Sequence, residues 1–169
     1  MFIAAGSAGV AAQSADPDNT VIMTLKGDCK VTIALRPDLA PKHVAQIKAL
    51  TADKFYDGII FHRVIDGFMA QTGDPTGTGM GGSKLPDVPA EFSSEPFKRG
   101  TLGMARSQDP NSANSQFFIM FAEGAFLNGQ YTVVGEVTEG MDCVDAITRG
   151  EPPANPDKIV SMKLMKDAQ

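Results

Sequence analysis

Tryptophan is absent from this 169-residue sequence, and there are only two tyrosines, two histidines and two cysteines. Two cysteines, Cys29 and Cys143, are too few for a disulfide scaffold, and their spacing is not that of a metal site. They can form one bridge in an oxidising compartment or stay as two buried thiols. Nothing in the sequence places them side by side, so the thiol reading is preferred. The histidines, His43 and His62, fall on different predicted elements with no cysteine or carboxylate at ligand spacing, which argues against a metal centre. His43 is expected to face water on its helix, and His62 to pack or to donate a structural hydrogen bond. No serine lies in a GxSxG elbow and no Ser–His–Asp set can be assembled. Asp66 and Asp74 could be read as an acid pair, but turn chemistry at Asp66-Gly67 explains Asp66 better. No apolar run approaches the ~20 residues that cross a bilayer. Fifteen basic residues against twenty acidic ones leave a net charge of −5. The basic residues are scattered, without the patch that marks a nucleic-acid binder.

What is present fits one domain with a sizeable core, 43% of the residues being apolar. Residues 1–19 stand apart. Phe2 to Ala12 is small and apolar, Val10-Ala11-Ala12 and Ala12-Gln13-Ser14 resemble signal cleavage sites, and polar residues follow. The first lysine is Lys26, so the basic start of a signal is missing. The segment reads as a signal-peptide remnant or a flexible tail. Periplasmic export is the expectation, cytoplasmic residence the alternative. The folded domain is placed at 20–169.

From residue 20 the pattern is mostly strand. In Cys29–Leu35, Val31, Ile33 and Leu35 share one face, the period of a half-buried strand. Further strands are predicted at Thr20–Leu25, Ile60–Ile65, Phe68–Thr72, Leu102–Ala105, Phe117–Phe121, Thr132–Val137 and Ile159–Met165. A helix starts at Pro41 and ends near Ala52, with Val44, Ile47 and Leu50 on one stripe. A second, short helix fits Met141–Thr148. Eight short strands with regular turn signals argue for a sandwich or a closed barrel. The Gly/Pro-rich stretch from Asp74 to Gly100 is long enough to be a functional loop or binding rim. Within it, Gly77-Thr78-Gly79-Met80-Gly81-Gly82 matches GxGxxG, but Pro86 and Pro89 follow too closely for the helix a dinucleotide site needs.

The run Phe61-His62-Arg63-Val64-Ile65-Asp66-Gly67-Phe68-Met69-Ala70-Gln71 carries most of the chemistry. Two strands meet at Asp66-Gly67, a strong hairpin signal. Alternation puts Phe61, Arg63 and Ile65 on one face, and Met69 and Gln71 on one face of the next strand. A guanidinium beside Met and Phe makes a polar spot in an apolar groove, suited to holding a peptide and polarising one amide. In Phe117-Phe118 only one ring can face inward, so the other is free to serve a binding surface.

The segments FYDGIIFHRVIDGFMAQTGDPTGTGMGG, GTLGMARSQDPNSANSQFFIMF and FLNGQYTVVGEV closely resemble the cyclophilin family of peptidyl-prolyl cis-trans isomerases, bacterial members included. The resemblance runs from about Thr20 to Met165. It implies a mainly β fold: a closed eight-stranded antiparallel barrel capped by two α-helices. It implies Arg63 as catalytic arginine, with Gln71 beside it. The proline pocket would be Phe68, Met69, Phe118 and Leu127, with Gln116 a second carboxamide holding substrate and arginine. Gly79, Ala105, Arg106 and Ser107 would border the neighbouring groove. Many members carry Asn at Arg106, Ala at Ser107, Trp at Phe126 and His at Tyr131, so both flanks of the groove depart from the common pattern.

The implied activity is rotation about X-Pro peptide bonds in support of protein folding. Arg63 would stabilise the twisted amide electrostatically, with no cofactor and no metal. The expected partners are proline-containing polypeptides and unfolded or folding proteins, with weak cyclosporin binding, no nucleic acid, no membrane in the mature form, and a monomeric state. Two other classes stand beside this reading. One is a noncatalytic proline-peptide module or holdase using the same groove. The other is a lipocalin-like carrier, against which the mostly aliphatic inward pattern argues.

Overall fold

The computed structural model describes residues 15–168, so most of the atypical N-terminal segment lies outside the described residues. Eight strands and two α-helices follow in chain order: β1 Thr20–Leu25, β2 Cys29–Leu35, α1 Pro41–Ala52, β3 Arg63–Ile65, β4 Met69–Thr72, β5 Thr101–Met104, β6 Phe117–Met120, β7 Val133–Glu139, α2 Met141–Asp145 and β8 Ser161–Leu164. One antiparallel sheet carries all eight, in the order β3-β4-β6-β5-β7-β2-β1-β8.

The expected closed barrel needs one correction. The edge strands β3 and β8 do not pair with each other, so the ladder is open at that seam. The chain just ahead of each strand fills the gap. Gly58 N–H donates to Ile159 O at 2.7 Å, Phe61 N–H to Asp157 O at 2.9 Å, and Ile159 N–H to Ile59 O at 2.9 Å. This is why the first predicted strand of the hairpin shrinks from Ile60–Ile65 to Arg63–Ile65. Residues 60 and 61 pair across the seam, and Phe61 turns into the interior with Val64 instead of sharing the face of Arg63.

The interior is filled by side chains. Val21, Met23, Val31, Ile33, Phe61, Leu102, Phe117, Ile119 and Val134 are fully buried within it. Tyr56 anchors one end by donating from its hydroxyl to Ser115 O at 2.9 Å, with its ring edge-on to Phe117 at 5.4 Å. Such a core leaves no lumen for a carried ligand. Helix α1 lies against β8, and α2 against β2.

Helix α1 begins at Pro41 as predicted, but His43 is fully buried rather than water-facing. It falls on the same stripe as Ile47, Leu50 and Thr51. Its Nδ1 donates to Glu91 Oε1 at 2.6 Å, and that carboxylate also accepts the backbone N–H groups of Lys42 and His43. Glu91 thus satisfies orphan donors at the positive end of the helix from 48 residues away in sequence.

The preference for free thiols is also corrected. Cys29, the first residue of β2, is disulfide-bonded to Cys143 in α2, with 5.8 Å between their Cα atoms. The packing of α2 on β2 brings them together, a consequence of topology that local spacing does not carry. Helix α2 stops at Asp145, short of the expected Thr148, and the Arg149 guanidinium satisfies the carbonyls of Asp145 and Ile147 just beyond its end.

Candidate active site

A groove of about 450 Å³ runs across the β3–β4–β6 end of the sheet. The hairpin register creates its polar edge. Arg63 on β3 stands directly opposite Gln71 on β4, and Gln71 opposite Phe118 on β6. The β3–β4 connection is Asp66-Gly67-Phe68, closed by Phe68 N–H donating to Ile65 O at 3.0 Å. Phe68 therefore belongs to the loop and not to the strand, and it still faces the groove.

Apolar walls come from Met69, Phe118 and Leu127, all buried and packed in one cluster with Phe97, Met120 and Val133. This second cluster covers the outer face of β6. Phe117 faces the interior while Phe118 faces the groove, so both rings are buried, each on its own side. Phe118 stacks on Phe97 at 5.9 Å and meets Tyr131 edge-on at 6.0 Å. Both phenyl rings lie over Gly103 of β5. A Cβ there would come within 3 Å of each.

The polar side is a continuous chain of hydrogen bonds. Arg63 Nη1 donates to Gln71 Oε1 at 3.4 Å, and Gln71 Nε2 to Gln116 Oε1 at 2.9 Å. Gln116 Nε2 donates to the carbonyls of Gly79 and Gly81, at 3.0 and 2.9 Å. The loop carrying those carbonyls is wound around the buried carboxylate of Asp74. That group accepts from Thr76 Oγ1 and from the N–H groups of Thr76, Thr78 and Gly79. Burial pushes the Asp74 carboxyl upward, but these hydrogen bonds outweigh it and hold its pKa at about 2. Asp74 is thus a permanent anion that shapes the rim. It forms no acid pair with Asp66, which accepts from Arg149 instead. The GxGxxG segment is part of this rim and opens no helix.

Of the residues named from sequence, Arg63, Phe68, Met69, Gln71, Gly79, Ala105, Arg106, Phe118, Leu127 and Tyr131 line the groove. Ser107 and Gln116 line an adjoining hollow of about 270 Å³ that shares Gln71, Gly79, Ala105 and Arg106. Phe126 stands at the rim, 69% exposed, its ring 5.5 Å from that of Phe68. Arg106 is fixed across the boundary. Its Nη atoms donate to Ser107 O and Gln130 O, and its guanidinium lies 4.4 Å over the Tyr131 ring.

Sequence reasoning missed five lining residues: His62, Gly77, Thr78, Glu151 and Pro152. His62 is buried, and neither ring nitrogen has a hydrogen-bond partner among the described residues, so of the two expectations it packs rather than donates. Burial depresses its pKa, Asp74 opposes that, and Arg63 adds to it. Alternation had put His62 opposite Arg63, but the regular strand starts only at Arg63, and residue 62 is free to turn toward the groove. Glu151 and Pro152 arrive from the α2–β8 connection, and no spacing in the sequence links them to residue 63.

The comparisons with known proteins decide the family. The model of the cyclophilin type peptidyl-prolyl cis-trans isomerase/CLD family matches residues 20–164. The chain belongs to this family. A probable peptidyl-prolyl cis-trans isomerase of Brucella suis biovar 1 is 59% identical over 174 residues, spanning 94% of this chain and 88% of the relative. Cyclophilin AquaCyp293 from Hirschia baltica has a TM-score of 0.85 at 33% identity, covering 93% of this chain and 77% of that one. A cyclophilin type isomerase from Cryptosporidium parvum, determined in the presence of the dipeptide Ala-Pro, has a TM-score of 0.79 at 30% identity. That match covers 86% of this chain and 98% of the other. The cyclophilin described here is therefore a peptidyl-prolyl cis-trans isomerase (EC 5.2.1.8).

Proposed function

We propose that catalysis runs through Arg63, acting on a proline seated against Phe68, Met69, Phe118 and Leu127. Rotation about an amide C–N bond breaks resonance against a barrier of ~18–20 kcal/mol. No covalent bond to a neighbour is made or broken, so the reaction needs no nucleophile, base or metal. As the amide twists, the proline nitrogen becomes pyramidal and gains a lone pair. A guanidinium N–H aimed at that nitrogen bonds the twisted state better than the planar one, which is the condition for acceleration. Four decades of acceleration require ~5.5 kcal/mol, whereas one charge-assisted hydrogen bond supplies ~1.5–3 kcal/mol. The apolar walls supply the remainder by clamping the ring and lowering the dielectric around the guanidinium. Gln71 and Gln116 hold Arg63 and the substrate backbone in register.

The observation that carries this reading is the placement of Arg63 at the edge of an apolar groove, held by the Gln71 carboxamide. An X-Pro peptide assay tests it. Arg63→Ala should cut kcat/KM at least tenfold to a hundredfold, the rate equivalent of ~1.5–3 kcal/mol. Arg63→Lys should also be impaired, because an ammonium lacks the planar fork. Full activity in Arg63→Ala would take the catalytic role away from Arg63, whereas a parent rate equal to the uncatalysed control would move the groove to a purely peptide-holding role.

The natural substrates on this reading are proline-containing segments of unfolded or folding chains, bound by a monomer. Periplasmic export is the matching location. The Cys29–Cys143 bond, of a kind rare in reducing cytosol, supports it together with the small apolar N-terminal composition. Cyclosporin binding should be weak, because Phe126 has no indole N–H to donate.

A further inference from the structure

Arg63 has a second partner that the groove's sequence motifs do not contain. Its Nε donates to Glu151 Oε1 at 2.9 Å, from the side opposite Gln71. The geometry points to Glu151 as a positioning residue for Arg63: it fixes the guanidinium from the α2–β8 loop so that the remaining Nη hydrogens face the proline. This rests on the proposed role of Arg63.

A guanidinium has five N–H donors in one plane. With Nε held by Glu151 and one Nη1 hydrogen by Gln71, the plane is fixed at two points and the three remaining Nη hydrogens are free for substrate. Without Glu151, the only side-chain hydrogen bond left to Arg63 among the described residues is the 3.4 Å contact to Gln71, the longer of the two. An arginine side chain is long and rotamer-rich, so a single weak contact leaves it spread over several orientations.

The loop that delivers Glu151 is secured without its side chain. Gly150, next to it, exchanges both backbone hydrogen bonds with Val64, next to Arg63, each at 2.8 Å. Thr148 N–H donates to Asp157 Oδ2, and Arg149 reaches both Asp66 and the Asp145 carbonyl. The Val64–Gly150 bridge thus sets the Glu151 carboxylate against Arg63 by backbone alone. Removing the carboxylate should leave loop and fold in place.

The alternative effect of Glu151 is to weaken catalysis by neutralising Arg63. The side chains of Arg63 and Glu151 are 45% and 56% exposed, so water screens that attraction. Directional fixation is the larger effect, and removing Glu151 should slow the enzyme rather than speed it.

The test is a double-mutant cycle in the full chain, with kcat and KM measured by NMR on a saturable X-Pro peptide. Glu151→Ala should lower kcat by about two- to fivefold, the rate equivalent of an exposed ion pair, with KM nearly unchanged. Glu151→Gln, which keeps an acceptor for Nε, should recover most of it. In an Arg63→Ala background, Glu151→Ala should cost nothing further. The Arg63 ¹⁵Nε–H signal should be protected from solvent exchange in the parent and lose that protection in Glu151→Ala. Unchanged or raised kcat, an effect confined to KM, or an equal loss in both backgrounds would each overturn the positioning role. Full activity of Arg63→Ala alone would instead sink the catalytic reading on which it rests.

Discussion

Opening the Cys29–Cys143 bond should destabilise the fold while leaving turnover intact. The bond closes a span of 114 residues. In the chain-entropy treatment, cross-linking restricts the unfolded state by −2.1 − 1.5R ln n cal/mol/K, which for this span is about 4.8 kcal/mol at 25 °C. For a chain of this size each kcal/mol moves Tm by about 2–4 °C, so the shift should be about 10–19 °C. The groove should not notice. Cys29 begins β2 and Cys143 sits in α2, and neither is among the groove-lining residues. The assay is a thermal melt of oxidised protein, reduced protein and a Cys29→Ala/Cys143→Ala variant, with kcat/KM measured well below the lowest Tm. Reduced protein and variant should melt alike and well below the oxidised form, with similar rates. A thiol titration of denatured protein isolated from an oxidising compartment should find no free sulfhydryl. Two free thiols, or a melting difference under about 4 °C, would refute the reasoning.

Acid should destabilise the protein through His43 and Glu91. Burial depresses the His43 imidazole despite its hydrogen bond to Glu91, so below about pH 6.5 the unfolded state binds a proton the folded state refuses, and stability falls with pH from there. Burial raises the Glu91 carboxyl, but the hydrogen bonds from His43 and the helix N–H groups win. Its net depression adds a second loss as pH falls below the ordinary glutamate range. Melts from pH 7 to 4 should show this decline. His43→Asn should start less stable and flatten the slope between pH 6.5 and 5; an unchanged slope would remove His43 as its source. At the rim, Phe126→Trp should tighten cyclosporin inhibition by up to about tenfold, one hydrogen bond being worth ~0.5–1.5 kcal/mol, while changing proline turnover much less. Equal inhibition constants would shift attention to Arg106 and Ser107.

The extended elements were legible because a face buried on one side writes itself into alternation. Val31, Ile33 and Leu35 of β2 are the clearest case, and all three are buried. The Arg63–Gln71 pair was legible for a related reason, since a short hairpin at Asp66-Gly67 puts the two strands side by side. What sequence reading lost was held by contacts between distant segments. Phe61 pairs across the seam, His43 is claimed by Glu91 from the long loop, Cys143 reaches Cys29 through packing of α2 on β2, and Glu151 meets Arg63 across 88 residues. Each is a property of topology, and neither periodicity nor turn chemistry encodes it.

The missing side chain at Gly103 acts as a gauge for the depth of the proposed proline pocket. Phe118 and Phe97 both rest over that position, so the groove floor stands at the height of a bare backbone. One methyl added there would collide with both rings and force the Phe118 ring, a wall of the proposed proline pocket, to shift. On the proposed reading of the site, ring-size acceptance is therefore adjustable from behind the wall. A search for variants that discriminate between proline and smaller or larger cyclic imino acids can start on β5, one layer below the binding surface.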